Sequence, residues 1–205
     1  MPESPLPPRL LLASQSPRRA ELLARLGLEF EIIPAALDES YLDHEMPAAH
    51  AERLAREKAF TIARREPGAL VVGSDTIVVL GNDVLGKPKD ADEAVRMLLR
   101  LAGREHEVYT GIAVAQDGRV ESSLERVKVR FRPLDRRQCE RYVATGEPMD
   151  KAGAYGIQGY GSALVAGIAG DYFAVMGLPV VRTLELLERF GWHYAFGALE
   201  GVEPR

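Results

Sequence analysis

The chain is poor in cysteine, histidine and uninterrupted apolar sequence, and each scarcity narrows what it can be. Cys139 is the only cysteine, so no disulfide can close within the chain. The four histidines, His44, His50, His106 and His193, are scattered, and no Cys/His cluster has zinc-finger spacing. No apolar run approaches the ~20 residues of a membrane-spanning helix. The start, Met1-Pro2-Glu3-Ser4-Pro5-Leu6-Pro7-Pro8, has neither the basic nor the apolar region of a signal peptide, and residues 1–8 read as a disordered arm. These absences make the cytoplasm the default location, with no membrane partner. An excess of positive charge is missing too. Lys and Arg number 26 against 30 Asp and Glu, a net charge of −4 that argues against salt-driven nucleic-acid binding.

What remains is a globular composition, 46% hydrophobic and 27% charged over 205 residues. A chain of this length buries roughly 70% of its unfolded surface and needs no covalent staples. Arg9-Leu-Leu-Leu-Ala13 is a short apolar run that reads as a strand, and Ser16-Pro17 as an N-cap and first helical residue of a helix that stops at Gly27. Residues 30–33 form a second short strand. Ala51, Leu54, Ala55, Ala59 and Ile62 recur on one helical face between Pro47 and Arg65. A strand from Leu70 is interrupted by Ser74-Asp75-Thr76 and resumes at Ile77, with Gly81-Asn82-Asp83 as a hairpin-type turn. Asp90 and Glu93 make a capping pair for a helix ending near Gly103. Residues 106–116 and 119–132 form two strands about Asp117-Gly118, and helices follow at 135–145 and 179–190. Between Gly146 and Gly177 stand eight glycines in 32 residues, which admit close approach of backbone to a ligand or another strand. Helices alternating with strands and hairpins predict an α/β fold on a mixed twisted sheet. No repeat or long linker divides residues 9–205, which read as one domain.

Several short constellations have chemistry in reach. Ser14-Gln15-Ser16-Pro17-Arg18-Arg19 links a strand to a helix start, where free N–H groups and the helix dipole favour an anion. Arg18 and Arg19 in that first turn are disfavoured by about 0.3–1 kcal/mol unless an anion offsets them; the alternative is an ordinary cap with solvent-facing arginines. Asp75 inside an apolar strand is either a metal ligand or general base, or an Asx-type turn that ends the strand. Lys58 shares the apolar face of its helix, so it snorkels past the core edge, the commoner outcome, or points into a polar cleft. Gly81 to Lys87 imitates a phosphate loop, but Pro88 supplies neither hydroxyl nor N–H, which rejects a P-loop. Gln158 offers donors and an acceptor to a base edge such as that of uracil or thymine, or else caps backbone in its loop. Arg126, Lys128, Arg130 and Arg132 alternate with apolar residues and read as a solvated basic face.

Ala13-Ser-Gln-Ser-Pro-Arg-Arg19, Asp38-Glu-Ser40, Leu54-Ala-Arg-Glu-Lys-Ala59, Gly73-Ser-Asp-Thr76, Gly86-Lys-Pro88, Thr145-Gly-Glu-Pro-Met-Asp-Lys-Ala-Gly-Ala-Tyr-Gly-Ile-Gln-Gly159 and Gly177-Leu-Pro179 come in one order. Together they resemble the Maf family of nucleotide pyrophosphatases, also known as septum-formation inhibitors. The tract Asp150 to Gln158 is similar to the subgroup that acts on dTTP and UTP. The resemblance implies hydrolysis of these pyrimidine triphosphates, extending to modified pyrimidine nucleotides, to monophosphate and pyrophosphate, in a mixed-sheet fold with two lobes around a deep cleft. It implies a divalent cation, Mg²⁺ or Mn²⁺, and a homodimer. By motif position Asp75 corresponds to the proton acceptor, and Arg18, Thr76 and Gln158 to substrate-selecting residues. Ser14, Arg19, Glu39, Lys58 and Lys87 correspond to further motif positions lining the phosphate site, with Glu39 and Asp75 as oxygen ligands of the metal. Gln15 stands where small residues are usual. The rival expectation is a non-catalytic, nucleotide-sensing regulator of cell division.

Overall fold

β1 (Leu10–Leu12) is apolar throughout and leads through Ser14-Gln15-Ser16 into α1 (Pro17–Arg25), which the chain leaves at Gly27 with positive φ. These coordinates are a computed structural model and describe residues 7–201, so most of the arm expected at 1–8 lies outside the described residues. Ser16 occupies the N-cap without a side-chain capping bond; its N–H instead donates to the Ser14 hydroxyl at 3.1 Å. β2 (Glu31–Ile32) and β3 (Leu70–Leu80) flank β1, both parallel to it, and α2 (Pro47–Ala63) lies between them in sequence. β4 (Asp83–Leu85) folds back antiparallel on β3.

α3 (Ala91–Leu101) starts at Asp90, whose carboxylate accepts from the Glu93 N–H at 2.7 Å. β5 (Glu105–Gln116) and β6 (Arg119–Phe131) meet through Asp117-Gly118, with φ of 46° and 86°, the two positive values that a tight hairpin needs. α4 (Arg136–Val143) opens with a reciprocal capping box between Asp135 and Gln138. The glycine-rich tract holds three short 3₁₀ turns, at Glu147–Asp150, Ala152–Ala154 and Gly159–Leu164. β7 (Val165–Ala169), α5 (Tyr172–Met176), α6 (Val180–Arg189) and the hairpin of β8 (Trp192–Tyr194) with β9 (Leu199–Gly201) complete the described residues. The main sheet has seven strands, ordered β2-β1-β3-β5-β6-β7 with β4 beside β3, and mixes parallel with antiparallel pairs. The α/β mixed-sheet expectation is met.

One expectation is corrected. β3 does not break at Ser74-Asp75-Thr76 but runs unbroken from Leu70 to Leu80. The reason is that its polar side chains find partners inside the protein: the Ser74 hydroxyl lies 2.8 Å from the carbonyls of both Gly111 and Gly177. The Gly81 to Lys87 segment forms the β3–β4 turn and β4 itself, not a loop that opens a helix.

The chain divides into two compact units. The first contains the residues up to Asp75, 110–124 and those from Gly177 onward; the second contains 76–109 and 125–176. In the first, a core of Leu11, Ala13, Ala55, Ala59, Ile62, Val71, Ala113 and Ala115 is built largely from small side chains. Smallness lets α2 rest on the sheet at backbone distance. A Cβ on Gly73 would stand 2.5 Å from the Ala55 carbonyl oxygen, and one on Gly111 only 2.2 Å from that of Ala51. Ala51, Ala55 and Ala59 thus form one ridge pressed against two side-chain-free points of β3 and β5. In the second unit, Phe131, His106 and Tyr155 pack edge to face, and His106 Nε2 lies 2.8 Å from the Tyr155 hydroxyl.

Two outcomes follow from this packing. Gly111→Ala destabilises by about 3 kcal/mol, the upper range for forced overpacking, measured as a lower urea midpoint at unchanged slope. Burial holds the His106 imidazole pKa down to about 4, from 6.5. Between these values the unfolded chain binds a proton that the folded protein refuses. Stability therefore falls as pH drops from about 6.5 to 4, by up to about 3 kcal/mol, and is fully present above 6.5. Urea unfolding across that window shows the drop in the parent protein and a shallower one in His106→Gln.

Candidate active site

The ridge that seats α2 also aims Lys58. Asp75 follows Gly73 by two residues, so its side chain leaves β3 on the face that α2 covers. Lys58 Nζ meets Asp75 Oδ1 at 2.7 Å and Glu39 Oε1 at 2.7 Å. Lys58 is only 7% exposed, so it does not snorkel: two carboxylates within reach give the ammonium its partners in the interior. Asp75, 8% exposed, is no strand-ending turn but an ion-paired carboxylate in the middle of a strand.

Glu39 comes from the irregular segment between β2 and α2, and local bonds fix it there. The Asp38 carboxylate accepts from the Ser40 N–H and hydroxyl, at 3.0 and 2.6 Å, an Asx turn with Glu39 at its apex. The segment is tied to α2 by Glu45, which accepts from Arg53 Nε at 2.6 Å, pairs with His50 Nδ1 at 2.8 Å, and takes the Leu42 N–H at 3.1 Å. The Arg53 guanidinium, foremost, holds the Glu45 carboxyl well below the usual carboxylate range. Arg53 also donates to the Ser40 carbonyl at 3.0 Å, and Tyr41 stacks on His50 with ring centroids 3.6 Å apart.

A second bonded group adjoins the first through β3. Arg19 donates from Nε to the Gly177 carbonyl at 2.8 Å and from an Nη to the Ser14 hydroxyl at 3.1 Å. Gly177 thereby receives both Arg19 and Ser74, the neighbour of Asp75. Burial pushes the Arg19 pKa down, the charges of Asp75 and Glu39 raise it, and that of Arg18 lowers it further. Five charges of the first unit therefore share one field: Arg18, Arg19 and Lys58 against Glu39 and Asp75. The remaining expected residues belong to the second unit. Thr76 is half-buried on β3, Lys87 is exposed after β4, and half-buried Gln158 stands before the last 3₁₀ turn without capping it. The Lys87 turn and the Gln158 tract are joined by the Gly153 N–H, which donates to the Gly86 carbonyl at 3.0 Å.

The donor set suits a hard divalent cation. Among the described residues no three His, Cys, Asp or Glu side chains converge as a cage, and the pair Glu39 and Asp75 offers two carboxylates. Two carboxylates, completed by phosphate oxygens and water, are the usual complement for Mg²⁺. The basic face of β6 is not bare cation: Arg126 bonds Glu107, Lys128 Nζ lies 3.2 Å from Glu105, and Arg132 donates to the Ala163 carbonyl.

Sequence reading overlooked the Glu45, His50 and Arg53 tie, which unites a loop with a helix. Its one local trace is Arg53 and Glu57 at helical i, i+4 spacing. It also passed over Tyr142 and dissolved Glu147 in a motif, although that carboxylate organises the glycine-rich tract.

Fold and site together define a mixed-sheet α/β protein with a buried lysine–dicarboxylate cluster beside two arginines at a helix start. The chain belongs to the Maf family: residues 9–190 match the model of Maf-like proteins. It is 57% identical to the dTTP/UTP pyrophosphatase of Moorella thermoacetica, across 89% of this chain and 95% of that one. It is 51% identical to the dTTP/UTP pyrophosphatase of Symbiobacterium thermophilum, across 90% and 95%. The solved dITP/XTP pyrophosphatase of Mycobacterium abscessus is more distant, at 19% identity and TM-score 0.40, over 60% of this chain and 74% of that one. No helix of the described residues is long and apolar enough to cross a membrane.

Lys58→Met strands the Asp75 carboxylate in the interior and destabilises by on the order of 3 kcal/mol. Lys87→Met, on an exposed side chain, changes stability by less than about 0.5 kcal/mol. Urea unfolding of the two variants side by side measures the contrast.

Proposed function

We infer that the protein is a nucleoside triphosphate pyrophosphatase that hydrolyses dTTP and UTP at the α–β anhydride, releasing nucleoside monophosphate and pyrophosphate. The observation that carries this reading is Lys58 bridging Asp75 and Glu39, in the field of Arg18 and Arg19. The relatives named dTTP/UTP pyrophosphatase, 45–57% identical to it, support the substrate class.

A triphosphate carries close to four negative charges. Arg18, Arg19 and the N–H groups at the start of α1 oppose that charge. As phosphate oxygens approach, Lys58 can turn part of its hydrogen bonding from the carboxylates toward the substrate. Asp75 then has an oxygen lone pair to take a proton from water. Water adds to phosphorus, the bond to the bridging oxygen breaks, its electron pair leaves with pyrophosphate, and the water proton passes to Asp75. Glu39 and Asp75, with phosphate oxygens, would hold Mg²⁺ or Mn²⁺, which when bound neutralises phosphate charge and acidifies a coordinated water. Gln158 meets the pyrimidine edge, where one carbonyl lies beside one N–H. This reading expects the activity in the cytoplasm.

Incubation with dTTP and Mg²⁺ releases pyrophosphate and dTMP in equal amounts, resolved by ion-exchange chromatography; orthophosphate as the first product rejects the bond assignment. Asp75→Asn lowers kcat by at least about 100-fold with an unchanged circular dichroism spectrum. Undiminished turnover removes Asp75 from the reaction.

A further inference from the structure

The glycine-rich tract turns its N–H groups toward a carboxylate of its own chain. Glu147 Oε2 accepts from the Tyr160 N–H at 2.9 Å, and Oε1 accepts from the Gly161 N–H at 3.0 Å and the Tyr142 hydroxyl at 2.8 Å. The Tyr142 oxygen in turn accepts from the Gly156 N–H at 3.0 Å. A Cβ at Gly159, where φ is +67°, would lie 2.5 Å from Glu147 Oε2; one at Gly161 would lie 2.0 Å from the Gly156 carbonyl oxygen. These two glycines let the tract close around Glu147, so here the close approach is to a side chain of the same unit.

Gln158 stands in the middle of that closure. Its backbone is tethered at Gly156 on one side and at Tyr160 on the other, and both tethers end on the Tyr142–Glu147 pair. Two backbone N–H groups and a phenol hydroxyl converge on the one Glu147 carboxyl group, so the pair anchors residues 155–158, which have no regular secondary structure of their own. Burial, with Glu147 as a smaller contributor, keeps the Tyr142 phenol neutral and able to donate.

Resting on the reading of Gln158 as the base-recognising residue, we propose that Glu147, through Tyr142, is a positioning residue for nucleobase selection. It fixes the backbone on either side of Gln158 so that its amide presents one donor and one acceptor to the pyrimidine edge. It touches neither base nor phosphate. Glutamine at 147 keeps the shape but turns a donating amide toward backbone N–H groups, which loosens the anchor.

The test compares Glu147→Gln, Glu147→Asp, Tyr142→Phe and Gln158→Glu with the parent protein. Readouts are kcat and KM for dTTP and dGTP, and inhibition by inorganic tripolyphosphate, which has no base. Glu147→Gln is expected to lower the dTTP over dGTP preference in kcat/KM at least tenfold, through KM for dTTP, with the tripolyphosphate inhibition constant unchanged. Glu147→Asp recovers part of that preference, and Tyr142→Phe loses severalfold. Should Glu147→Gln fail to fold, Tyr142→Phe decides, since it removes a single hydroxyl. Preserved preference in the folded Glu147 or Tyr142 variants, while Gln158→Glu abolishes it, overturns the positioning role and leaves Gln158 in place. Preference unchanged in Gln158→Glu overturns the base reading and the positioning role with it. Equal weakening of dTTP and tripolyphosphate in Glu147→Gln also overturns the proposal, because it marks a general structural effect.

Discussion

The bare backbone of Gly73 and Gly111 against the alanine ridge of α2 is the contact on which the site depends. Helices usually stand off a sheet by the thickness of their side chains. Here two strands expose no side chain and the helix exposes only methyl groups, so α2 lies close enough for the Lys58 side chain to span from the helix to β3. A larger residue at either glycine or on the ridge lifts the helix, and the lysine loses its reach before the core loses its shape. Glycine and alanine at these positions give up apolar area. The gain is a fixed distance between a cation and a carboxylate.

That distance makes the electrostatics workable. A buried carboxylate alone costs several kcal/mol. Asp75 avoids this with Lys58 as its counterion, while Glu39 shares the same ammonium from a more exposed position. The loop that delivers Glu39 has no regular structure, yet it is held to α2 by Glu45, Arg53 and His50. The same helix therefore carries the lysine on one side and anchors the partner's loop on another. Rigidity at both ends leaves the exposed Glu39 carboxylate as the adjustable member.

Much of this was legible in the residues. Ser16-Pro17 and Gly27 bracket α1, Asp117-Gly118 makes the hairpin, and Asp90 with Glu93 caps α3, because each feature is decided by atoms a few positions apart. The continuity of β3 was not legible. Ser74 and Asp75 look like a break until their partners are known, and those partners, Gly111, Gly177 and Lys58, come from other parts of the chain. The burial of Lys58 was hidden for the same reason: a lysine on an apolar helix face tells nothing of the carboxylates opposite. The glycine-rich tract was recognised as a place of close approach, but which group approaches is settled by Glu147, 13 and 14 residues from the two amides whose N–H groups it accepts. Ordered motifs, in contrast, carried the family through to residues 9–190.

The carbonyl of Gly177 receives an arginine from α1 and a serine from β3, segments separated from it by 158 and 103 positions. A polypeptide emerging from the ribosome therefore makes most of this pocket's charged side chains long before it makes the acceptor that settles two of them. Until Gly177 is translated, Arg19 and Ser74 lack that acceptor. Completion of the charged centre therefore waits on the synthesis of Gly177, and a nascent chain halted before it carries the ingredients of the chemistry without its full arrangement.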